Sequence, residues 1–396
     1  MADSILTMTQ VTRKAAMSLH QKLNFIGRID RQYDDSYAKR GAKIGDTLKV
    51  RLPNEYTVRT GMTRSNQDVT ETSVDLVMAN VKGVDMDFTS EDLLLKLDDF
   101  NERIIDPAMS VLAANVEADA LNMYKDVYNL YDGDAAAFSF ASVANAGQLL
   151  TDNLAPLSSR TCTMNTGHAT KFKIDTKGLM HAADNIEEQY RDGIIARTGG
   201  FEMYENTLLV PLTTGTAAKT TGYLSNGATQ SGASIVVDTG TTTFVQGDVI
   251  TFAGVNRVHP ETKVSTGVLQ QFVITAAYAG GAGSIAISPS VTATGARQNV
   301  SNTIADNSAI VKVGAGASET LTQSLAFHKN AFAFVTADLP MPNGVDMARR
   351  EVVDGISISL VRDFVINDRS FPCRLDILYG YKAIRPQLAA RIHNDG

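Results

Sequence analysis

Apolar residues recur at steps of three or four between positions 100 and 131. This spacing places them on one face of a helix with 3.6 residues per turn. The face contains Ile105, Met109, Leu112, Val116, Ala120, Met123 and Val127. A second face contains Asp106, Ser110, Ala113 and Glu117. About 30 helical residues would span roughly 45 Å, so the pattern predicts one long amphipathic helix across which other elements pack.

Pro107 leaves a second interpretation of this stretch open. Proline removes a backbone donor and clashes with the preceding helical turn, so a helix bends or begins at such a position. If it begins there, Asp106 is the N-cap and Pro107 the first helical residue.

Helical spacing also marks residues 9–29, whose apolar positions are Val11, Ala15, Leu19, Leu23 and Ile26. We assign residues 1–42 to an amphipathic N-terminal arm. The apolar face is weak, so docking to a partner protein is favoured over binding to a membrane surface.

Residues 43–88 alternate apolar and polar positions at both ends. Strands are predicted around Leu48–Val50–Leu52 and around Val84–Met86–Phe88, with the polar segment 54–71 between them. A loop of this length without a core of its own is uncommon in a compact domain. A two-stranded arm is also only marginally stable alone in water. We therefore expect a neighbouring copy of the chain to order it.

Residues 89–221 mix helical and strand patterns. Thr89 and Ser90 mark a helix start, and a short helix is predicted over 93–97. Further helices are predicted at 143–150, 169–174 and 185–190, and strands at 160–165 and 207–210. Turns are predicted at 190–193 and 199–201.

The composition changes at Gly222. Only eight charged residues occur from there to Ser318, although charged residues make up 20% of the whole chain. Five short strands separated by turns containing glycine are predicted, at 234–237, 248–253, 269–278, 284–288 and 309–313. A flexible linker has a similar composition. The apolar run Val249-Ile250-Thr251-Phe252 favours a folded, all-β domain inserted at residues 222–318.

Mixed patterning returns after Glu319. A short helix is predicted over 321–327, followed by strands at 356–364 and 374–381. Ile384-Arg385-Pro386 is expected to close the fold.

Composition and charge narrow the function classes. The chain has 396 residues, 44% of them hydrophobic, and a formal charge of −7. It therefore lacks the global positive field that binds nucleic acid through counterion release. The two cysteines, Cys162 and Cys373, fit no metal-like spacing and are expected to be buried apolar residues. No transmembrane run or signal pattern occurs, which predicts a soluble protein made in a cytoplasm.

Candidate catalytic chemistry is sparse. No phosphate-binding loop or nucleophile elbow occurs, and the six histidines are scattered without ligand spacing. Asp85 and Asp87 resemble a carboxylate pair but are better explained as the solvated face of a strand. Asp98 and Asp99 are a favourable charge before a helix. We expect no enzymatic activity, no cofactor and no metal site.

Four groups of residues together resemble a known family. They are Leu112-Ala113-Ala114-Asn115-Val116-Glu117, Tyr190-Arg191-Asp192-Gly193 with Gly200-Phe201, the run Gly247-Asp248-Val249-Ile250-Thr251-Phe252-Ala253-Gly254-Val255, and Leu378-Tyr379-Gly380 with Ala383, Arg385 and Pro386. They fall in the order found in the major capsid proteins of tailed bacteriophages. Within these, the chain most resembles the coat protein family of Salmonella phage P-twenty-two.

The resemblance implies an α+β chain with the Hong Kong-type phage capsid fold and an inserted small β-barrel domain. Its parts would be an N-terminal arm (1–42), an extended E-loop (43–88), a peripheral domain with the spine helix (89–131), an axial domain (132–221), the inserted domain (222–318), and a segment that completes the axial domain and returns strands to the peripheral one (319–396).

The implied function is a major capsid protein. Many copies would self-assemble as hexamers and pentamers into an icosahedral shell that encloses double-stranded DNA without sequence-specific binding. The shell would belong to the virion, and its subunits would be synthesised in the bacterial host cytoplasm. A separate scaffolding protein and a portal are expected partners, a decoration protein is a possible one, and no membrane is involved.

Contacts between subunits are expected at the E-loop. Some capsids of this fold cross-link through an E-loop lysine, but no lysine lies between Lys49 and Lys82, so we expect a non-covalent shell. Arg59 and Arg64 at the loop tip are predicted to pair with Glu102 or Asp106 of an adjacent subunit.

Two other classes remain open. A β-rich binding or adhesion module would use the inserted domain and would form a stable monomer or small oligomer. A cryptic enzyme would require a pocket with convergent titratable groups.

Overall fold

The computed structural model describes residues 13, 15, 17, 23–34, 47–64, 66, 71–89, 104–133, 136–176, 197–314, 316–353, 355–366 and 370–394. The chain divides into two compact units. The first comprises residues 1–50, 73–121 and 332–384, and the second comprises residues 51–72, 122–331 and 385–396.

The described α-helices are α1 (Asp106–Leu121), α2 (Phe140–Asp152) and α3 (Thr166–Thr176). Short 3-10 helices lie at Ile26–Arg28, Asn122–Asp126, Lys329–Ala331 and Pro386–Leu388. The described strands, in chain order, are β1 (Asp30–Asp34), β2 (Thr47–Leu52), β3 (Thr72–Val77), β4 (Asn80–Thr89), β5 (Leu130–Asp132), β6 (Arg160–Met164), β7 (Glu202–Glu205), β8 (Leu212–Thr213), β9 (Thr220–Ser225), β10 (Gly232–Asp238), β11 (Val249–Val258), β12 (Ser265–Ile274), β13 (Gly283–Val291), β14 (Ala309–Val313), β15 (Thr320–Leu321), β16 (Gln323–His328), β17 (Phe332–Ala337), β18 (Met347–Val353), β19 (Ile356–Arg362), β20 (Ser370–Ala383) and β21 (Ala389–His393).

The first unit is built on a six-stranded sheet. Its order is β1-β17-β20-β19-β18, with β4 also paired to the long strand β20. Helix α1 packs against β4. Leu76, Met78, Val335 and Leu378 form a buried cluster there, and Leu48 packs against it. The predicted strands at 48–52 and 84–88 are confirmed as β2 and β4.

The predicted helix over residues 100–131 is wrong in its length. The α-helix has 16 residues, from Asp106 to Leu121, and is followed by the 3-10 helix Asn122–Asp126 and by β5. Ile104 and Ile105, directly before this α-helix, are π-helical, so Asp106 lies within helical backbone and the interpretation that makes it the N-cap is wrong. Every member of the predicted apolar face is buried, because Met123 and Val127 stay in the interior after the α-helix ends. The spacing of apolar residues alone did not reveal the change from α-helix to 3-10 helix and strand.

The second unit contains a five-stranded sheet of order β5-β21-β16-β6-β7, on which α2 packs. Every residue of β6, β16 and β21 is buried. The helix predicted over 321–327 is wrong, because these residues form β15 and β16. A short apolar run fits a fully buried strand as well as a buried helix, and pairing of β16 with both β6 and β21 decides for the strand.

The strand predicted at 207–210 is also wrong. The Asn206 side chain accepts a hydrogen bond from the Leu208 backbone N–H at 2.8 Å, which turns the chain. Strands β7 and β8 lie on either side of this turn. The helices predicted at 143–150 and 169–174 and the strand at 160–165 are confirmed as α2, α3 and β6. Gly199 and Gly200 have positive φ in the predicted turn.

The insert folds as a closed barrel of six strands, in the order β10-β13-β12-β11-β14-β9. Five of these strands overlap the predicted ones, and β9 was not predicted. Tyr223, Phe244, Phe252 and Phe272 are among the aromatic residues of its core. This core excludes the flexible-linker interpretation.

Some predictions fall outside the described residues. They are the helices at 93–97 and 185–190, the turn at 190–193 and most of the helix at 9–29.

Candidate assembly site

The candidate contact segment begins where β2 ends and finishes where β3 begins. These two strands pair with each other. Arg51 and Glu71 lie at the neck of the loop, with 3.2 Å between their charged groups. Residues 53–60 between them form neither helix nor strand. The neck is thus closed by paired strands and an ion pair, and the loop extends beyond it.

Arg59 shapes the tip of this loop, which we define as residues 56–64. Its guanidinium donates to the backbone carbonyls of Gly61 and Thr63. Gly61 has φ of +94°, a conformation that side chains rarely allow. Arg59 therefore bonds within its own loop. Arg64 is exposed and has no hydrogen bond or ion pair with any described residue.

The tip also exposes large apolar side chains. Val58 is 93% exposed and Met62 is 99% exposed, and Tyr56 is more than half exposed. Single exposed apolar residues are ordinary on protein surfaces, but several together mark a contact surface. Charge patterns in the sequence did not point to these residues, although their apolar type within a polar loop was a visible signal.

Of the two acidic residues predicted to pair with the loop arginines, the structure describes only Asp106. Glu102 lies outside the described residues. Asp106 is partly buried at the first residue of α1. The predicted contacts join separate copies, so pairing of Arg59 or Arg64 with either residue stays a prediction.

Helix α1 anchors the backbone at Asn24 and Phe25. The Glu117 carboxylate is 2% exposed and accepts the backbone N–H groups of Asn24, at 2.7 Å, and Phe25, at 3.1 Å. Glu117 was placed on the second face of the helix, apart from the apolar positions, and the structure shows that this residue is buried. Ala113 of the second face is buried too, so the buried side of the helix is wider than the predicted apolar face.

Asp119 on the same helix connects to the sheet. It lies 2.7 Å from the Lys82 ammonium and accepts the Tyr379 hydroxyl hydrogen bond at 2.5 Å. Burial, with the Asp119 contact as a smaller cause, raises the pKa of Tyr379 above its usual range. Asp85 and Asp87 are exposed, which confirms their interpretation as a solvated strand face.

A hydrogen-bonded joint attaches the barrel to the sheet of the second unit. The Gln271 side chain accepts from the Leu130 N–H at 2.7 Å and donates to the Leu130 carbonyl at 2.9 Å. Tyr128, Leu130, Val249 and Val273 pack together around this contact. The barrel is thereby joined to β5 through both polar and apolar contacts.

Buried charges support the same joint. Asp248 accepts the backbone N–H groups of Val245 and Gly215, and Lys312 donates to the Gly316 carbonyl at 2.7 Å. Burial lowers the pKa of Arg391 to about 10, while the charge of Asp248 is among those that act in the opposite direction. These groups hold the chain segments that enter and leave the barrel.

His168 is buried in the second unit. Its Nδ1 lies 2.7 Å from the Ser324 hydroxyl and its ring stacks on Phe138. Burial lowers its pKa from 6.5 to about 4, and the Asn394 carbonyl partly opposes that shift. The cysteines are confirmed as buried, and burial raises the pKa of Cys162 and Cys373 to about 12.

Ligand and membrane features are limited in the described part of the chain. No group of three metal-ligating side chains occurs among those residues. None of the described helices has the length and apolar character to span a membrane.

A family model for P22 coat protein, gene protein 5, matches residues 1–391. A solved structure from Mycobacterium phage Che8 is 15% identical and covers 91% of this chain and 88% of its own, with a TM-score of 0.45. The structure of the mature capsid of bacteriophage PhiM1 is 9% identical in sequence, with a TM-score of 0.44. The match covers 94% of this chain and 87% of the PhiM1 chain. The capsid structure of Staphylococcus phage Andhra is 9% identical in sequence, with a TM-score of 0.40. The match covers 94% of this chain and 84% of the Andhra chain. No curated protein matches the sequence.

Proposed function

The chain belongs to the P22 coat protein family and is a major capsid protein that forms the shell of a tailed phage, and we propose that its copies join through non-covalent contacts of the E-loop and the N-terminal arm. The shell would be icosahedral, built from hexamers and pentamers, and would enclose double-stranded DNA. The observation that carries the proposal is the exposed apolar tip of the loop.

Val58 and Met62 give the loop contact its driving force. Both side chains are almost fully exposed in the isolated chain. Burial of one such side chain contributes about 1.5–3 kcal/mol relative to exposure, which repeats at every copy in a shell. A neighbouring subunit with an apolar surface is therefore the partner that fits the tip.

Arg64 adds direction to the contact. It has no partner among the described residues, whereas Arg59 bonds to its own loop. We retain the pairing of these arginines with Glu102 or Asp106 of an adjacent copy as a proposal, with Arg64 as the principal cation. Surface pairs contribute little singly, so their main effect is on orientation.

The N-terminal arm is proposed as the second contact. Glu117 holds the backbone at Asn24 and Phe25, and this fixes the position of these two arm residues on helix α1. Ordering such an arm costs conformational entropy. Burial of the arm against a neighbouring subunit would offset this cost.

We assign the parts of the Hong Kong-type fold as follows. Residues 1–42 are the arm, 43–88 the E-loop and 89–131 the peripheral segment with its spine helix. The axial domain is 132–221, the inserted domain is 222–318, and 319–396 completes the axial domain and returns strands to the peripheral domain. The sheet that joins β4, β17 and β20 supports the last assignment.

The remaining partners follow from this role. We propose a separate scaffolding protein and a portal, with a decoration protein as an optional addition. The subunits are made in the host cytoplasm and carry no catalytic activity. The net charge of −7 suits a container that confines DNA without binding its sequence.

Electron microscopy of the protein expressed with its scaffolding partner tests the proposal. Closed shells of uniform size are expected. A stable monomer or small oligomer under all conditions would contradict it and would favour a β-rich binding module.

A further inference from the structure

The barrel contacts the chain on both sides of the loop tip. The Lys263 ammonium lies 3.7 Å from the Glu55 carboxylate, just before the tip. The Arg297 guanidinium donates to the Thr72 hydroxyl, at the start of β3. Two cations from the barrel domain therefore contact the segment that leaves β2 and the first residue of β3.

Lys263 is well placed to act as an anchor. It lies in the turn between β11 and β12, where its backbone N–H bonds to the His259 carbonyl at 3.0 Å. Its side chain is only 14% exposed, and its ammonium also donates to the Gln298 carbonyl at 3.3 Å. A side chain restrained in this way loses little further freedom when it pairs with Glu55.

Arg297 comes from a second restrained loop, between β13 and β14. Asn299 in this loop accepts the Thr292 N–H at 2.9 Å and donates to the Ser290 carbonyl at 2.7 Å. Arg297 forms no ion pair with a described residue, so Thr72 is its contact in this part of the chain.

The space between the two contacts is a cleft of about 550 Å³. Leu52 and Pro53 line it from the loop side, and Val258 and Pro260 line it from the barrel side. Glu55, Lys263 and Arg297 line the same cleft, so the contacting side chains lie at its walls. Contacts at two ends restrict the direction of a segment more than one contact does.

We propose that Lys263 and Arg297 clamp the base of the E-loop and so fix the direction in which its apolar tip points. This inference rests on the proposed E-loop contact and extends it by making the barrel a positioning element for that contact. A second copy of the chain is the partner towards which the tip is directed.

Double electron–electron resonance on the full-length monomer tests the clamp directly. Nitroxide labels at T60C on the tip and T241C on the barrel report the distance between them, and both positions are exposed. The native cysteines are buried and do not compete for label. The wild-type chain should give one narrow distance distribution.

The variants K263E and R297A should broaden that distribution. Loss of one partly exposed contact should shift the equilibrium between the clamped and the released loop by about threefold. Loss of both contacts in the double variant should therefore lower the ratio of clamped to released loop by about tenfold. The charge swap E55K with K263E should restore the narrow distribution. K219E, which breaks the 3.8 Å pair with Asp132 away from the loop, is the matched control and should change nothing.

Each outcome decides the clamp separately from the proposed function. An unchanged distribution in the double variant, with a wild-type thermal melt, overturns the clamp. Failure of the charge swap to restore the narrow distribution also overturns the role of the Lys263–Glu55 pair. If the distribution broadens but assembly is unaffected even by M62D, the clamp stands and the E-loop contact is wrong.

Discussion

The buried Glu117 carboxylate on helix α1 accepts the backbone N–H of Phe25, 92 positions earlier in the chain. The neighbouring Asn24 N–H donates to the other carboxylate oxygen. A buried anion is stabilised when it accepts several backbone hydrogen bonds. This contact fixes Asn24 and Phe25 on helix α1, which packs against strand β4 of the first unit.

Removal of this carboxylate should destabilise the first unit. In E117A both backbone donors lose their acceptor, which we expect to cost about 2–4 kcal/mol. E117Q retains one acceptor and should cost less. Urea unfolding of the monomer measures both. D87N, which changes an exposed carboxylate on β4, is the control, and equal losses in E117A and D87N would contradict the assignment.

The acid sensitivity of the second unit should depend on His168. Its pKa is about 4 in the folded chain and 6.5 in the unfolded one. Between these values the unfolded state binds a proton that the folded state does not, so stability falls as pH drops from about 6.5 towards 4. The loss should reach about 2–3 kcal/mol.

H168Q should remove this part of the pH dependence, because glutamine stays neutral. Thermal or urea unfolding at pH 4, 5, 6.5 and 8 gives the slope for both proteins. Parallel curves for the wild type and H168Q would show that another group causes the acid sensitivity.

The joint between the barrel and β5 should depend on Gln271. Q271M keeps the size of the side chain but removes both bonds to Leu130, which we expect to cost about 1–3 kcal/mol. Unfolding followed by urea checks this. V268A, at an exposed barrel position, is the control, and a similar effect in both variants would count against the joint.

The loop tip should affect assembly and leave the monomer unchanged. V58D and M62D place a charge where an apolar side chain would be buried in a neighbour, so assembly yield should fall at least tenfold, which corresponds to about 1.4 kcal/mol. The thermal melt of the monomer should not move. T60D adds the same charge without removing an apolar group, and an equal loss in T60D would contradict the apolar contact.

Arg59 and Arg64 should behave differently. R64A should weaken the salt dependence of assembly, because an exposed ion pair is screened by salt. R59A should instead loosen the tip and lower yield at every salt concentration, since Arg59 bonds to its own turn. Light scattering across a salt series distinguishes the two. Unchanged yield and salt sensitivity in both variants would exclude arginine pairing.

Local patterns in the sequence predicted the parts that depend on local chemistry. Alternation identified β2 and β4, and short apolar runs between glycine-containing turns identified five of the six barrel strands. Patterns could not determine the end of α1, because Met123 remains buried in a 3-10 helix. Nor could they distinguish the apolar run of β16 from a helix before its pairing partners were known.

The candidate site shows the same limit. The length and polarity of the loop indicated a contact segment, but the bonds of Arg59 to its own loop depend on the turn at Gly61. The burial of Glu117 was not predicted, because it depends on Asn24 and Phe25, which are distant in sequence. Contacts with residues distant in sequence, such as Lys263 with Glu55, have no local signal.

A side-chain-resolution reconstruction of the assembled shell tests the central claim most directly. We predict that Val58 and Met62 of each copy are buried against an adjacent subunit, with Arg64 near one of its carboxylates. A shell in which both apolar side chains remain exposed to solvent would contradict the proposed E-loop contact.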